Sequence, residues 1–246
     1  MKDLFGKALQ DYQNGNYTED LITSTNISDK DKLPLPYLFR GYNDMPKLEQ
    51  KALQLCQGYV LDAGCGAGSH SLWLQKCGLH IKAIDVSKGA IEVAKSRGVL
   101  NTEQKALLAE SETFDTILLL MNGTGIFQKL DQVSDYLKHL KSLLKTDGQI
   151  LIDSSDICYM YDFEDEDEDE DEVEHEDEVE KLNQLNNGNY YGELDYYLSY
   201  KGENEYPMKW LYLDFKTLSK ACQSIGLKCE KVMDGEHFDF LAKIYV

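Results

Sequence analysis

No two of the six cysteines (Cys56, Cys65, Cys77, Cys158, Cys222, Cys229) are spaced as a CxxC pair, and no histidine-rich spacing accompanies them. A cysteine zinc site and a disulfide framework of the small secreted kind are thereby excluded, and reduced thiols in a cytoplasmic protein are expected. The longest purely apolar run, Ile117 to Met121, is far shorter than the roughly 20 residues that span a bilayer. Polar residues, not an apolar run, follow Met1-Lys2-Asp3-Leu4-Phe5-Gly6, so no secretory leader is expected. Lysines and arginines are nowhere clustered, which argues against a nucleic-acid partner, because phosphates are gripped by grouped cations. The chain also has no internal repeat.

What is present is 246 residues, room for one generous α/β domain or one domain with an inserted subdomain. The net charge of −19 is a local feature: 15 of the 44 acidic residues fall between Asp162 and Glu180. Without that run 29 acids face 25 bases, so the body is only mildly acidic. The run has neither the glycine nor the spacing of a calcium loop, so no metal site is expected in it. Charges this dense do not bury, and residues 159–189 read as a solvated, largely disordered insertion.

Residues 1–54 read as a helical and connecting cap, with Leu33-Pro34-Leu35-Pro36 as a rigid extended break and a helix from Met45 to Leu55. After Gly58 short apolar strands alternate with helices. Tyr59–Asp62, His80–Asp85, a third segment between Val99 and Leu108, Phe114–Met121 and Gln149–Asp153 read as strands. Ser69–Lys76, Lys88–Arg97 (capped by Ser87) and Leu130–Leu144 read as helices. Repeated units of this length imply a parallel, doubly wound sheet over a core of residues 55–158. In residues 190–246, Tyr190–Tyr200 and Lys209–Leu213 alternate like an antiparallel pair. A helix, Lys216–Ile225, and a closing hairpin, Lys228–Met233 with Phe238–Val246, complete the chain.

The chemically informative segment is Val60-Leu61-Asp62-Ala63-Gly64-Cys65-Gly66-Ala67-Gly68-Ser69-His70, which leaves a strand and opens a helix. Gly64 permits a tight turn, Gly66 a close backbone approach to a ligand, and Gly68 close packing where the helix begins. The helix N-terminus offers free N–H donors to a carboxylate or phosphate. Asp85 ends the next strand, 21 residues after Gly64, where a carboxylate can accept both hydroxyls of a ribose. Together these features point to a nucleoside. The spacing is GxGxG, not the GxGxxG of dinucleotide sites.

Val60–His70 with Asp85 resembles motif I and the acidic second strand end of class I S-adenosylmethionine-dependent methyltransferases. The resemblance is good over Gln57–Asp153, and Asp214–Val246 resembles the last helix and antiparallel strands of that fold. It implies an α/β, doubly wound, mostly parallel seven-stranded Rossmann-like sheet, here with the antiparallel pair inserted before the last helix. It also implies S-adenosyl-L-methionine as cofactor. Gly64, Cys65, Gly66 and Gly68 would line its methionine and ribose portions. Asp62 would order the turn and reach the amino-acid moiety, Asp85 would bind the ribose, and Asn122, with Gly123 beside it, would sit near the methyl group. The acid that family members often carry after the third strand is missing: Lys105, Ala106 and Leu107 stand there, so adenine is left to apolar packing and backbone groups.

An acceptor would bind over the strand ends, covered by Pro36–Tyr42 and by the strands after Cys158, where ten of the 16 tyrosines lie. Those tyrosines suit either a planar acceptor or ordinary strand packing. Arg40 suits either a carboxylate, on cofactor or acceptor, or solvent. His70 and His237 are candidate bases or unremarkable helix and turn residues, and no catalytic residue is assigned. Met121-Asn122-Gly123-Thr124-Gly125 lacks the Pro-Pro-aromatic run of nucleic-acid base methyltransferases, which favours a small-molecule acceptor. Two other readings stay open. One is a nicotinamide-dependent oxidoreductase, and the other a non-catalytic nucleoside-binding protein whose acidic run engages a basic partner.

Overall fold

The computed structural model describes residues 2–161 and 175–246. Helix α1 (Leu4–Gln13) begins at Asp3, whose Oδ1 accepts the Gly6 N–H at 2.9 Å. Strands β1 (Leu21–Thr25) and β2 (Asp31–Leu33) follow as an antiparallel pair. They correct the reading of residues 1–54 as helical and connecting. Leu-Ile-Thr-Ser-Thr is β-branched, but only Leu21 is fully buried, so no apolar alternation announces it. Pro34 is extended as expected, yet Leu35–Leu38 then makes a single helical turn, α2. Helix α3 (Lys47–Leu55) packs Leu48, Ala52 and Leu53 inward.

The Rossmann-like core then runs β3 (Tyr59–Ala63), α4 (Ser69–Lys76), β4 (His80–Asp85), α5 (Lys88–Ser96), β5 (Thr102–Gln104), β6 (Phe114–Leu119), α6 (Leu130–Ser142) and β7 (Leu144–Ser155). Ser87 caps α5, its Oγ accepting the Ala90 N–H at 3.0 Å. Residues 162–174, most of the acidic run, lie outside the described residues. His175–Leu185 is a helix, α7, not the disordered chain expected there. Its order has a physical cause: Leu182 is buried and Val179 half-buried against the main core, a one-turn apolar stripe that the surrounding charge conceals in the sequence.

Strands β8 (Glu193–Tyr200), β9 (Glu203–Asn204) and β10 (Met208–Leu211) precede α8 (Phe215–Ser224), β11 (Lys228–Asp234) and β12 (Asp239–Tyr245). The main sheet has the order β11-β12-β7-β6-β3-β4-β5. Its five central and edge strands β3–β7 are parallel, and β12 runs antiparallel to both neighbours. The order reverses between β3 and β6, which opens a crevice at their carboxyl ends. The expected inserted pair, β8 and β10, is antiparallel. It belongs to a second, five-stranded sheet in which β8 also pairs with β1 (Ile22 opposite Ser199). Helix α1 bridges the two sheets. Its Leu4, Ala8 and Leu9 share one buried cluster with Ala90 and Val93 of α5 and with Leu198 and Tyr200 of β8. No helix among the described residues is long and apolar enough to cross a membrane.

Candidate active site

The glycine bend forms at the end of β3. Gly64, Gly66 and Gly68 have φ of 78°, 51° and 81°, a region that L side chains enter only with strain. The Gly64 and Cys65 N–H groups both donate to the Ile84 carbonyl, at 2.8 and 3.1 Å, which ties the bend to β4. A Cβ on Gly68 would stand 2.7 Å from Val99 Cγ2, so α4 packs there only through glycine. A Cβ on Gly66 would meet only Phe5 Cζ at 3.8 Å, so the bend is open on that side beneath α1.

Asp85 and the bend converge. Asp85 Oδ2 accepts the Gly66 N–H at 2.9 Å and Oδ1 accepts the Ser87 N–H at 2.8 Å. Burial pushes its carboxyl above the ordinary range, and the two N–H donors oppose that rise. Asp62 is buried one strand over, where Oδ2 accepts the Ser71 hydroxyl at 2.6 Å, pinning the start of α4. Burial raises its pKa as well. The Cys65 side chain turns into the core against Ala83, Ala94 and Val99, so the cysteine contributes backbone to the bend.

Beyond β6 the chain bends through two left-handed residues, Met121 (φ 66°) and Asn122 (φ 60°). Asp153, read from the sequence only as the end of a strand, holds this bend: its two carboxylate oxygens accept the N–H groups of Met121 at 3.0 Å and Gly123 at 2.8 Å. Burial, with Glu49 nearby, pushes Asp153 up to about 6. The one signal for it was an acid ending the apolar run Ile150-Leu151-Ile152. The Asn122 side chain faces the covering sheet. Its Nδ2 donates to the Leu211 carbonyl at 3.2 Å, and its Oδ1 lies 3.2 and 3.3 Å from the Thr124 and Ser154 hydroxyls.

The segment Leu35–Tyr42 straps the bend from above. Ser69 Oγ donates to the Leu38 carbonyl at 2.9 Å, and Arg97 spans the gap, donating to Ala67 O at 2.6 Å and Phe39 O at 3.2 Å. Arg40 is not solvated but buried, with both Glu49 oxygens against Nη2 and its guanidinium 3.8 Å over the Tyr37 ring. Glu49 also meets His70 Nε2 at 2.7 Å. Burial alone would raise Glu49, but His70 and Arg40 hold it below its ordinary value. His70 is therefore engaged in a hydrogen bond to the buried Glu49–Arg40 pair, whereas His237 is exposed in the β11–β12 turn. Neither Lys105, Ala106 nor Leu107 brings a carboxylate to the bend. The Lys105 N–H donates to Asp85 O at 2.9 Å, and its ammonium lies 3.4 Å from Glu103 and Glu110.

The chain matches the methyltransferase domain family over residues 60–148. A solved S-adenosylmethionine-dependent methyltransferase from Bacteroides fragilis, in complex with S-adenosyl-L-homocysteine, is 37% identical. The match takes in 100% of this chain and 95% of that one, with a TM-score of 0.86. The chain belongs to the S-adenosylmethionine-dependent methyltransferases. Weaker likenesses show the fold alone. The CcbJ methyltransferase from Streptomyces caelestis is 13% identical over 84% of this chain and 92% of its own, with a TM-score of 0.60. Magnesium protoporphyrin IX methyltransferase from Synechocystis is 14% identical over 80% of each chain, with a TM-score of 0.52. No curated protein matches the chain. The oxidoreductase and non-catalytic readings are set aside. The methyltransferase's cofactor is S-adenosylmethionine, and the crevice fits it: a side-chain-free bend lies open beside a carboxylate, one oxygen of which already accepts the Gly66 N–H.

Proposed function

We propose that this methyltransferase methylates a small-molecule acceptor by direct in-line transfer at the carboxyl ends of β3, β4 and β6. The observation that carries the reading is the 2.9 Å bond between Gly66 N–H and Asp85, which brings a bare backbone bend and a carboxylate to one place. Asp85 takes the ribose hydroxyls, and Gly64, Cys65, Gly66 and Gly68 present backbone to the sugar and the methionine chain. Asp62 orders the bend through Ser71. Exposed Val86 and Leu108, flanking the ends of β4 and β5, provide apolar surface for adenine in place of an acid.

S-adenosylmethionine, when bound, supplies a methyl group already activated by its sulfonium charge. The protein's part is then placement. Orientation of this kind contributes on the order of 7–11 kcal/mol. Asn122, in the bend clamped by Asp153, lies at the methyl end, and the second sheet, with Tyr37 from the strap, walls the acceptor side. Asp153 acts as a positioning residue: it holds the Met121–Gly123 bend through an N–H bond to each of its oxygens. The small-molecule reading is supported by the scarcity of clustered cations and by the absence of a Pro-Pro-aromatic run after β6. Six free thiols suit a reducing, cytoplasmic setting.

Methyl transfer from labelled S-adenosylmethionine to a metabolite extract, with products identified by mass, tests this reading. Labelled low-molecular-weight products support it, and label appearing only in added DNA, RNA or protein overturns it. In parallel, cofactor at about 100 times its Kd should stabilise the fold by about 2.7 kcal/mol in a thermal shift.

A further inference from the structure

The rings of Tyr159 and Phe238 stack, with centroids 4.7 Å apart and planes 19° from parallel, yet both stay exposed, Tyr159 at 54% and Phe238 at 64%. Large apolar side chains side by side on a surface mark binding sites, whereas scattered ones do not. The backbone makes the same point independently. Phe238 has φ of 57°, and among the described residues it is the one aromatic residue in the left-handed region. A hairpin turn ordinarily fills such a position with glycine or asparagine. Holding a bulky phenylalanine there, with its ring largely in solvent, is strain that brings little burial, and strain of this kind gathers at functional sites.

The pair stands at the acceptor end of the crevice. Asp156, just beyond β7, donates its N–H to the Phe238 carbonyl at 2.9 Å, and Asp239 pairs with Ser155 where β12 meets β7. Tyr159 acts electrostatically on Tyr212, where the chain leaves β10 of the second sheet, and Asp153 acts on both Tyr212 and Tyr37 of the strap. Second sheet, strap and aromatic pair thus surround the end of β7, beside the bend that carries Asn122. Charge then selects the occupant. Asp156 and Asp239 adjoin Phe238, and neither carboxylate has a cationic partner among the described residues. Asp156 Oδ1 accepts the Cys158 N–H at 3.0 Å and the Tyr191 hydroxyl at 2.8 Å, and Asp239 Oδ1 accepts the His237 N–H at 2.9 Å. Arg40, which lies over Tyr37, is paired with Glu49. The face of an aromatic ring is itself negative, so rings and carboxylates together attract a flat cation and repel an anion.

We propose that Tyr159 and Phe238 form the outer acceptor subsite, where they stack against a flat, ring-bearing molecule that carries a positively charged amine. The subsite rests on the small-molecule reading given above and narrows it to amine-bearing aromatic acceptors. Asp156 and Asp239 supply the charge that selects the amine, and the two rings supply the surface that selects a flat shape.

Three indoles that share one ring and differ in charge, cationic tryptamine, neutral tryptophol and anionic indole-3-acetate, test it by calorimetry on the full chain saturated with S-adenosylhomocysteine. The wild type should bind tryptamine roughly 10-fold tighter than tryptophol, and indole-3-acetate weakest of the three. Phe238→Asn removes the ring but suits the left-handed backbone, so its melting temperature should hold or rise while tryptamine affinity falls roughly 10-fold. Tyr159→Leu should lose a similar factor, and Tyr159→Phe, which keeps the ring, should bind as the wild type does. Asp239→Asn should leave tryptophol unchanged and narrow the preference for tryptamine. Affinity for S-adenosylhomocysteine should stay within about twofold in every variant. Equal binding of the three indoles, binding of none, or ring variants that hold tryptamine as the wild type does overturns the proposal. Labelled small products from the metabolite extract that are not ring-bearing amines overturn it too, and leave the small-molecule reading standing. Label confined to macromolecules, with ring- and charge-dependent tryptamine binding intact, sinks the small-molecule reading and leaves the aromatic subsite in place.

Discussion

The glycine bend and the strap that covers it lie against one another, yet they are built by opposite means. The bend is made from neighbours in sequence and in the sheet. Three glycines with positive φ, two N–H bonds to Ile84 and one to Asp85 lie within the span 64–85. The cover is assembled from far apart. The β1 strand pairs with β8 across the length of the chain, and Arg97 reaches from the end of α5 to Phe39. Asp3 joins the starts of α1 and α5, accepting from Gly6 N, Ser87 Oγ and Gly89 N. A site whose floor is local and whose roof is long-range should respond differently to damage in the two places.

The largest effect is expected at the floor. Gly68→Ala forces a left-handed alanine (~1–2 kcal/mol) and drives its Cβ to 2.7 Å from Val99. Overpacking adds ~1–3 kcal/mol. Chemical denaturation should show a combined loss of about 2–5 kcal/mol. Gly78→Ala, at a similar φ of 86° but with nothing within 4 Å, should lose only the conformational part. Equal losses at the two glycines would mean that the close packing of α4 is not what the bend is for.

Asp85→Ala is next. It removes the acceptor for Gly66 N–H and, in the proposed complex, charged hydrogen bonds to two hydroxyls. Affinity for S-adenosylhomocysteine should fall by about 2–4 kcal/mol in a calorimetric titration. Unchanged affinity would separate the carboxylate from the bend and break the floor into unrelated parts.

Asp153 stands where floor meets roof, and pH tests it. Its pKa in the folded chain, about 6, lies above the ordinary carboxylate value of 3.8. The folded protein therefore holds the proton more tightly than the unfolded chain, and ionisation costs stability as pH rises through that window. Measured against Asp153→Asn, the wild type should gain about 2 kcal/mol between pH 7 and pH 4. A flat difference would mean that the N–H donors of the Met121–Gly123 bend fully offset the burial of Asp153.

The smallest effect is expected in the roof. Arg97→Met removes bonds to the Ala67 and Phe39 carbonyls and should cost about 1–2 kcal/mol. Hydrogen exchange should accelerate over residues 35–42 and stay unchanged over β3. Acceleration in β3 instead would show that the strap supports the floor.

The same contrast governs what was legible in the sequence. The bend, Asp85 and the strand–helix alternation are local patterns, so the elements of residues 59–155 read in the right order, and the closing hairpin with them, although β7 begins at Leu144, five residues before the strand expected from Gln149. The second sheet was half legible. The alternation of β8 showed, but Leu21–Thr25 buries one side chain fully and signals nothing until β8 lies beside it. Helix α7 was hidden because Val179 and Leu182 are two apolar residues in a dense acidic setting. Within the site, Asp153 and the Arg40–Glu49–His70 cluster escaped as partners. Residues 40, 49 and 70 come from a strap and two helices, and no spacing rule links them. Their meaning arises only when β3, β6 and β7 bring those elements over one crevice.

The account stands or falls on where the nucleoside lies. A crystal structure of the wild-type chain with S-adenosylhomocysteine should show both ribose hydroxyls within about 3 Å of Asp85, with the sulfur directed toward Asn122. Adenosine docked away from β4, or a sulfur pointing from the sheet away from residues 121–123, would contradict it.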